Sequence, residues 1–256
     1  ETDPKSEKQI YTVGNEQDYH FKVLFKILDK LGYSWAKECY HLSYGMIDLP
    51  DGKMKSREGT VVDADELITL MKVTAKNRTV ELGKIDDFDS KDLEKLYNII
   101  ALSALKYHLL KVDPRKSMLF NPEESIDFQG NTGPFIQYTY ARIQSILKRA
   151  KMLNIDFKGL NFDNVKNLSV NEKRIIDLIL KHRNNLIKSS ETYSPSILCN
   201  YVYDLSKTYN SFYQDEKIFD GKNNETTSFK IALSDMTSSV IKELLNTLGM
   251  DVVNKM

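Results

Sequence analysis

Eight consecutive residues, Gly52-Lys53-Met54-Lys55-Ser56-Arg57-Glu58-Gly59, hold three cations, one hydroxyl and a glycine at either end. Glycine lets a backbone come close to a ligand, and lysine or arginine neutralises charge that develops on a phosphoryl group, so the stretch suits a loop that closes over phosphate. A solvated loop can have the same composition, and these residues alone do not separate the two readings. A second polar segment, Gly14-Asn15-Glu16-Gln17, stands just before a helix expected from Asp18. Gln17 and His20 then lie at a helix N-terminus, where free backbone N–H groups and the helix dipole favour anions. The plain alternative is that Gln17 caps the helix and His20 is a surface imidazole.

Both segments need elements to hold them. Gln9-Ile10-Tyr11-Thr12-Val13 reads as a β-branched and aromatic strand, and Cys39 to Met46 as a second, with Tyr40, Leu42 and Tyr44 alternating with Cys39, His41 and Ser43. Between them Phe21, Leu24, Phe25, Leu28 and Leu31 recur at helical spacing and stop at Gly32. Strand, helix and strand make a right-handed βαβ unit the economical reading, with both polar segments on one rim if the strands are parallel. Asp63 and Glu66, near capping-box spacing, start a further helix to about Leu82.

From about Ser90 the pattern is helical almost throughout. One helix runs from a Ser90 cap through Leu93, Leu96 and Ile100 to a stop before Asp113-Pro114, and another follows Thr132-Gly133 with Pro134 at its first position. Ser169-Val170-Asn171-Glu172 has capping-box spacing and opens a third. Ser194-Pro195 opens a fourth with Tyr201, Leu205 and Phe212, and a fifth carries Ile231, Val240, Leu244 and Leu248 to Gly249. The expected fold is α/β followed by all-α, cut between Gly83 and Ser90: the end of a Rossmann-type nucleotide-binding domain over 1–88, and a helical bundle over 89–256.

Three segments then carry a resemblance: Val13-Gly14-Asn15-Glu16-Gln17-Asp18-Tyr19-His20-Phe21, Tyr44-Gly45-Met46, and Gly52 through Val62. In order and spacing they resemble the C-terminal part of a class I arginyl-tRNA synthetase of the bacterial type. Gly130-Asn131-Thr132-Gly133-Pro134-Phe135-Ile136-Gln137-Tyr138-Thr139-Tyr140-Ala141-Arg142-Ile143 resembles the start of that family's DALR-type anticodon-binding domain. The likeness runs from about Tyr11 to the ending Leu248-Gly249-Met250 through Lys255-Met256. The family's other ATP signature, the HIGH tetrad, occurs nowhere in the sequence. A C-terminal portion is therefore expected, inactive in aminoacylation by itself.

What the resemblance implies is specific by residue. The loop departs from the family's KMSKS pattern: Lys53 and Met54 match, Lys55 stands in place of serine, Ser56 in place of the second lysine, and Arg57 at the last position. In class I activation the arginine carboxylate attacks the α-phosphate of ATP and pyrophosphate leaves. Lys53, Lys55, Ser56 and Arg57 are the catalytic candidates, their cations stabilising the transition state; positioning and electrostatics carry such a transfer. Gly14, Glu16, His20, Met46, Lys53 and Met54 are expected at ATP, and Gln17 at the substrate arginine, whose guanidinium or amino group suits a carboxamide. ATP enters as substrate with its own Mg2+, and no metal held by the protein is expected.

Single-stranded RNA loops are read by stacking bases on aromatic rings and hydrogen-bonding their edges. Gln137, Tyr138, Arg142, Asn210 and Tyr213 have that chemistry; the resemblance implies that the segment Gly133 to Tyr138 and the C-terminal end approach the anticodon loop, which adds Met256 and sharpens Gln137 and Tyr138 as contacts to the tRNA for arginine. The competing reading is that tyrosines at helical spacing in a bundle are core or rim residues. Tyr201, Tyr203 and Tyr209 are assigned to the core. Net charge is zero, with 36 basic and 36 acidic residues, which disfavours a uniformly basic nucleic-acid binder but leaves room for local patches. Two windows qualify: Arg142, Lys148, Arg149 and Lys151 on one helix, and Lys173, Arg174, Lys181, Arg183 and Lys188 on another. Each is alternatively a solvated face.

The 256 residues, 41% hydrophobic, fit a soluble globular protein with no run of about 20 apolar residues. Cys39 and Cys199 form no CxxC pair, and four scattered histidines give no metal spacing. A cytoplasmic enzyme, monomeric when intact, with arginine, ATP and tRNA as partners and no membrane contact, is the expectation. A non-catalytic RNA-binding module with synthetase architecture is the alternative.

Overall fold

A computed structural model describes residues 6–49, 52–53, 63–81, 88–158, 165–219 and 224–256. By packing they divide into two units, the first drawn from 1–61 and 112–120, the second from 62–111 and 121–256.

In the first unit β1 (Gln9–Gly14) and β2 (Cys39–Tyr44) pair in parallel, Gln9 opposite Cys39 and Gly14 opposite Tyr44. Helix α1 (Asp18–Lys30) is the crossover that parallel pairing requires. It lies on the strands through an aromatic cluster in which Phe21 stacks on His41 with ring centroids 4.3 Å apart and meets Tyr11 at 5.2 Å. The helix ends in a Schellman arrangement: Gly32 has φ +88°, its N–H donates to Asp29, and the Tyr33 N–H donates to Leu28. Three short strands make a second sheet, β3 (Ile47–Leu49) at its centre, β4 (Gly52–Lys53) antiparallel to it and β5 (Met118–Leu119) parallel. Gly45 leads into β3, and a Cβ there would sit 2.3 Å from the Lys116 backbone, so only glycine fits this approach.

The second unit is helical: α2 (Ala64–Glu81), α3 (Ser90–Leu110), α4 (Pro122–Ser125), α5 (Gly133–Met152), α6 (Val170–Leu180), α7 (His182–Thr192), α8 (Ser196–Asp215) and α9 (Asn224–Thr247). Its core contains Tyr107, Ile136, Ile143, Ile175, Leu205, Tyr209, Phe212 and Ile231, all fully buried. The Tyr209 hydroxyl is satisfied by Ser234 at 2.8 Å. Helices α3 and α5 approach closely at Gly133, where a Cβ would meet the Ser103 carbonyl at 2.6 Å.

Packing cuts the chain elsewhere than the sequence division at 88. Helix α2 packs on α3 and α4 and buries Met71 and Ala75 completely, so it joins the helical unit, while 112–120 returns to the first unit where β5 pairs with β3. Two helix boundaries also shift. Asp89, rather than Ser90, caps α3, its carboxylate accepting the Asp92 N–H at 2.8 Å. The second basic window is split between α6 and α7 at Lys181, whose N–H is shared by the Asp177 and Leu178 carbonyls. Helix α4 is an unforeseen element, capped by Asn121 with Pro122 in its first turn.

Ser169 and Glu172 form a full capping box: the Glu172 N–H donates to Ser169 Oγ at 3.2 Å and the Ser169 N–H to Glu172 Oε2 at 2.7 Å. Ser169→Ala should cost about 1 kcal/mol of unfolding free energy, read as a lower denaturant midpoint at unchanged slope.

Candidate functional site

At the rim of the first unit, Gly14 ends β1, Asn15–Gln17 form a 3-10 turn, and Asp18 begins α1. Because β1 and β2 are parallel, the segment after Tyr44, including Met46, leaves from the same sheet edge as Glu16, Gln17 and His20. The shared rim expected from the sequence is therefore present. Glu16, Gln17 and His20 are exposed, as is Met46. Gln17 makes no capping bond with its side chain. Its carboxamide is thus not consumed by the helix end. Lys53 belongs to β4, paired with Asp48. The expectations for Met54, Lys55, Ser56 and Arg57 lie outside the described residues.

His41 organises this rim and was not a candidate in the sequence. Its Nε2 lies 3.0 Å from the Val13 carbonyl, so that nitrogen donates, and its Nδ1 lies 3.3 Å from the Asp18 carboxylate. One half-buried ring therefore ties the end of β1 and the first turn of α1 to β2. The signal available was period-two alternation, which sets His41 on one face with Cys39 and Ser43 without saying that α1 covers that face.

In the second unit α5, α8 and the C-terminal residues enclose a groove of about 670 Å³. Tyr138, Arg142, Tyr213 and Met256 line it, and Asn210 lines an adjoining cavity of about 510 Å³ that shares Tyr138 and Arg142. Five of the six expected RNA-contact residues are thus gathered at one place from sequence positions far apart. Arg142 is held on several sides. Its guanidinium carbon lies 5.0 Å from the Tyr138 ring centroid and 4.7 Å from that of Tyr213, and it donates to Asn210 Oδ1. The Asn210 amide in turn donates to Thr139 Oγ1 at 2.8 Å. A cation between two rings is attracted by their π faces, and the fixed carboxamide sets its orientation. Tyr213 remains 41% exposed, leaving ring surface open for stacking.

Gln137 is the correction. It is fully buried, and its Nε2 donates at 2.7 Å to both Ser103 Oγ and the Asp251 carbonyl. Its i, i+3 and i+4 neighbours on α5 face the core, which draws it inward while Tyr138 turns to the groove.

Arg149, from the first basic window, and two cations missed as candidates complete the groove. Arg149 lies over the Phe219 ring at 4.7 Å, and Lys217 and Lys255 add two further cations. The lining acid Glu216 is engaged by Lys230 at 2.9 Å. Arg149 follows Arg142 by two helical turns, so the spacing within the first basic window placed them on one face. Lys217 and Lys255 had no such signal, since they lie outside helices. The core assignments of Tyr201 and Tyr209 hold, each being at most 6% exposed, whereas Tyr203 is only half-buried, its ring against Phe135. Cys199 is sealed in the core, where burial pushes its thiol up to about 12, so it is no nucleophile.

Among the described residues no helix is long and apolar enough to cross a membrane. The family model for the tRNA synthetase class I (R) catalytic domain matches residues 1–121, and that for the DALR anticodon binding domain matches 136–256. The arginine–tRNA ligase of Flavobacterium psychrophilum is 51% identical over 251 residues, which are 96% of this chain and 40% of that protein. That of Bacteroides fragilis is 50% identical over 250 residues, 98% of this chain and 42% of the relative. The chain thus spans about two-fifths of the length of the curated relatives it matches. The arginyl-tRNA synthetase of Thermus thermophilus shares the fold, with a TM-score of 0.86 at 24% identity over all of this chain and 42% of that structure. With a synthetase catalytic match followed by an anticodon-binding match, and half-identical relatives along nearly its whole length, the chain belongs to the class I arginyl-tRNA synthetase family.

Proposed function

We propose that the chain is part of an arginine–tRNA ligase, which joins arginine to its tRNA through an arginyl-adenylate at the expense of ATP. In this reading the first unit supplies part of the catalytic domain and the helical unit grips the anticodon arm. The observation that carries it is the groove: Arg142 held over the Tyr138 and Tyr213 rings, with Arg149, Lys217 and Lys255 beside it, offers π faces, fixed donors and positive charge in one concavity. Unpaired bases and the phosphates that join them need those three things.

At the rim, Gly14, Glu16, His20 and Met46 face the adenosine, Gln17 the arginine, and the loop Lys53-Met54-Lys55-Ser56-Arg57 the phosphates. ATP brings its own Mg2+. The whole enzyme acts as a cytoplasmic monomer. Cations of the loop stabilise charge that grows on the departing pyrophosphate, a contribution made only in the transition state and therefore expressed in rate.

The test is direct binding of this chain to a transcript of the tRNA for arginine, beside ATP–pyrophosphate exchange with that tRNA present. Tight, salt-sensitive binding without exchange is expected. Robust exchange by this polypeptide would contradict the division of labour proposed here, and no preference for the arginine tRNA over an unrelated one would favour a general RNA-binding module.

A further inference from the structure

We infer that Gln137 is a positioning residue: from inside the bundle it holds the C-terminal segment against α5 and so builds one wall of the RNA groove without touching RNA. The inference rests on the RNA reading of that groove. The segment after α9 has no helix or strand of its own, yet Lys255 and Met256 at its end line the cavity. Three features aim it there. Gly249, at φ +71°, reverses the chain in a Schellman arrangement, with the Met250 N–H donating to Leu245 at 2.8 Å. Lys106 donates to the Gly249 carbonyl, and Met250 is 98% buried, its relative exposure being 2%. Beyond that point Gln137 takes over, spending one amide hydrogen on Ser103 Oγ and the other on the Asp251 carbonyl, both at 2.7 Å.

The geometry explains why a carboxamide is wanted at a fully buried position. An apolar side chain of the same volume would fill the space but lose the buried bond to Ser103 Oγ and the part-buried bond to the Asp251 carbonyl, and lost bonds of that kind are costly. Tyr138, the next residue, lines the groove. One turn of α5 therefore carries both a groove residue and the anchor for the segment whose Lys255 and Met256 line the same groove, which couples the position of Lys255 and Met256 to that of Tyr138 and Arg142.

The experiment compares the full chain with Gln137→Met, which keeps volume and removes both donors. Backbone amide exchange of residues 251–256 should quicken about tenfold, and affinity for the arginine tRNA transcript should fall about tenfold. In a chain ending at Asp251 the same substitution should change affinity by less than about twofold, because the segment it positions is gone. Unchanged exchange in the variant, or an equal loss of affinity in the shortened chain, would overturn the inference. If Gln137→Met does not fold, Gln137→Leu, which also removes both donors and adds no charge, is read the same way. Should the unaltered chain bind no tRNA, the RNA reading fails, while amide exchange still decides whether Gln137 anchors the segment.

Discussion

Arg142→Ala lowers the chain's affinity for arginine tRNA about 10- to 100-fold, corresponding to about 1.4–2.8 kcal/mol, while the helical unit stays folded. The side chain is half-buried on the groove wall rather than in the core, and its removal opens space next to solvent. What disappears is a planar cation that two tyrosine rings and Asn210 hold in one orientation. Arg142→Lys separates charge from shape. A lysine keeps the positive charge but loses the fork and much of the stacking surface, so it should recover only part of the loss. Equilibrium binding at two salt concentrations reads both contributions: alanine lowers affinity and flattens the salt dependence by about one phosphate contact, and lysine restores the slope more than the affinity. Affinity unchanged in the alanine variant would place the RNA surface elsewhere.

The larger effect lies in the variant signature loop. Removing a single cation from a transition-state clamp costs about 2.7–4 kcal/mol, or about 100- to 1000-fold in rate. The chain is placed in the Flavobacterium psychrophilum arginine–tRNA ligase in exchange for the matching segment, so that a complete enzyme is assayed. Lys53→Ala, Lys55→Ala and Arg57→Ala are then compared by ATP–pyrophosphate exchange with tRNA present. At least one of the three should lose about 100- to 1000-fold in kcat with little change in tRNA affinity. Ser56 occupies the place of the usual second lysine, so the cation with the largest effect should be Lys55 or Arg57, which flank it. Small losses at all three positions would mean that the loop carries no transition-state charge.

How much of this was legible in the sequence depended on the range of the interactions involved. Local signals did well. The Ser169 capping box, the glycine stops at Gly32 and Gly249 and the separate strand, helix and strand of the βαβ unit all follow from spacing within a few residues. Asn121-Pro122 was equally local and signals the start of α4, a cap followed by proline at a first helical turn. Interactions between distant segments did poorly. Gln137 reads as an RNA contact from its carboxamide chemistry and the resemblance of its segment to an anticodon-binding domain. Its partners, Ser103 and Asp251, lie 34 and 114 residues away and cannot be inferred from its neighbours. His41 is hidden for the same reason, since its contact with Asp18 exists only once α1 has folded back over β2. The groove was half visible: helical spacing put Arg142 and Arg149 on one face, while Lys217, Phe219 and Lys255 entered through tertiary packing.

The most direct measurement of the central claim sets two transcripts of the arginine tRNA side by side, one with its natural anticodon and one with the anticodon bases replaced. A chain that reads unstacked anticodon bases in the groove between α5, α8 and Met256 binds the natural transcript at least tenfold more tightly, and the preference shrinks in Arg142→Ala. Equal affinity for both transcripts, with the natural one bound no better by the unaltered chain than by Arg142→Ala, would contradict it.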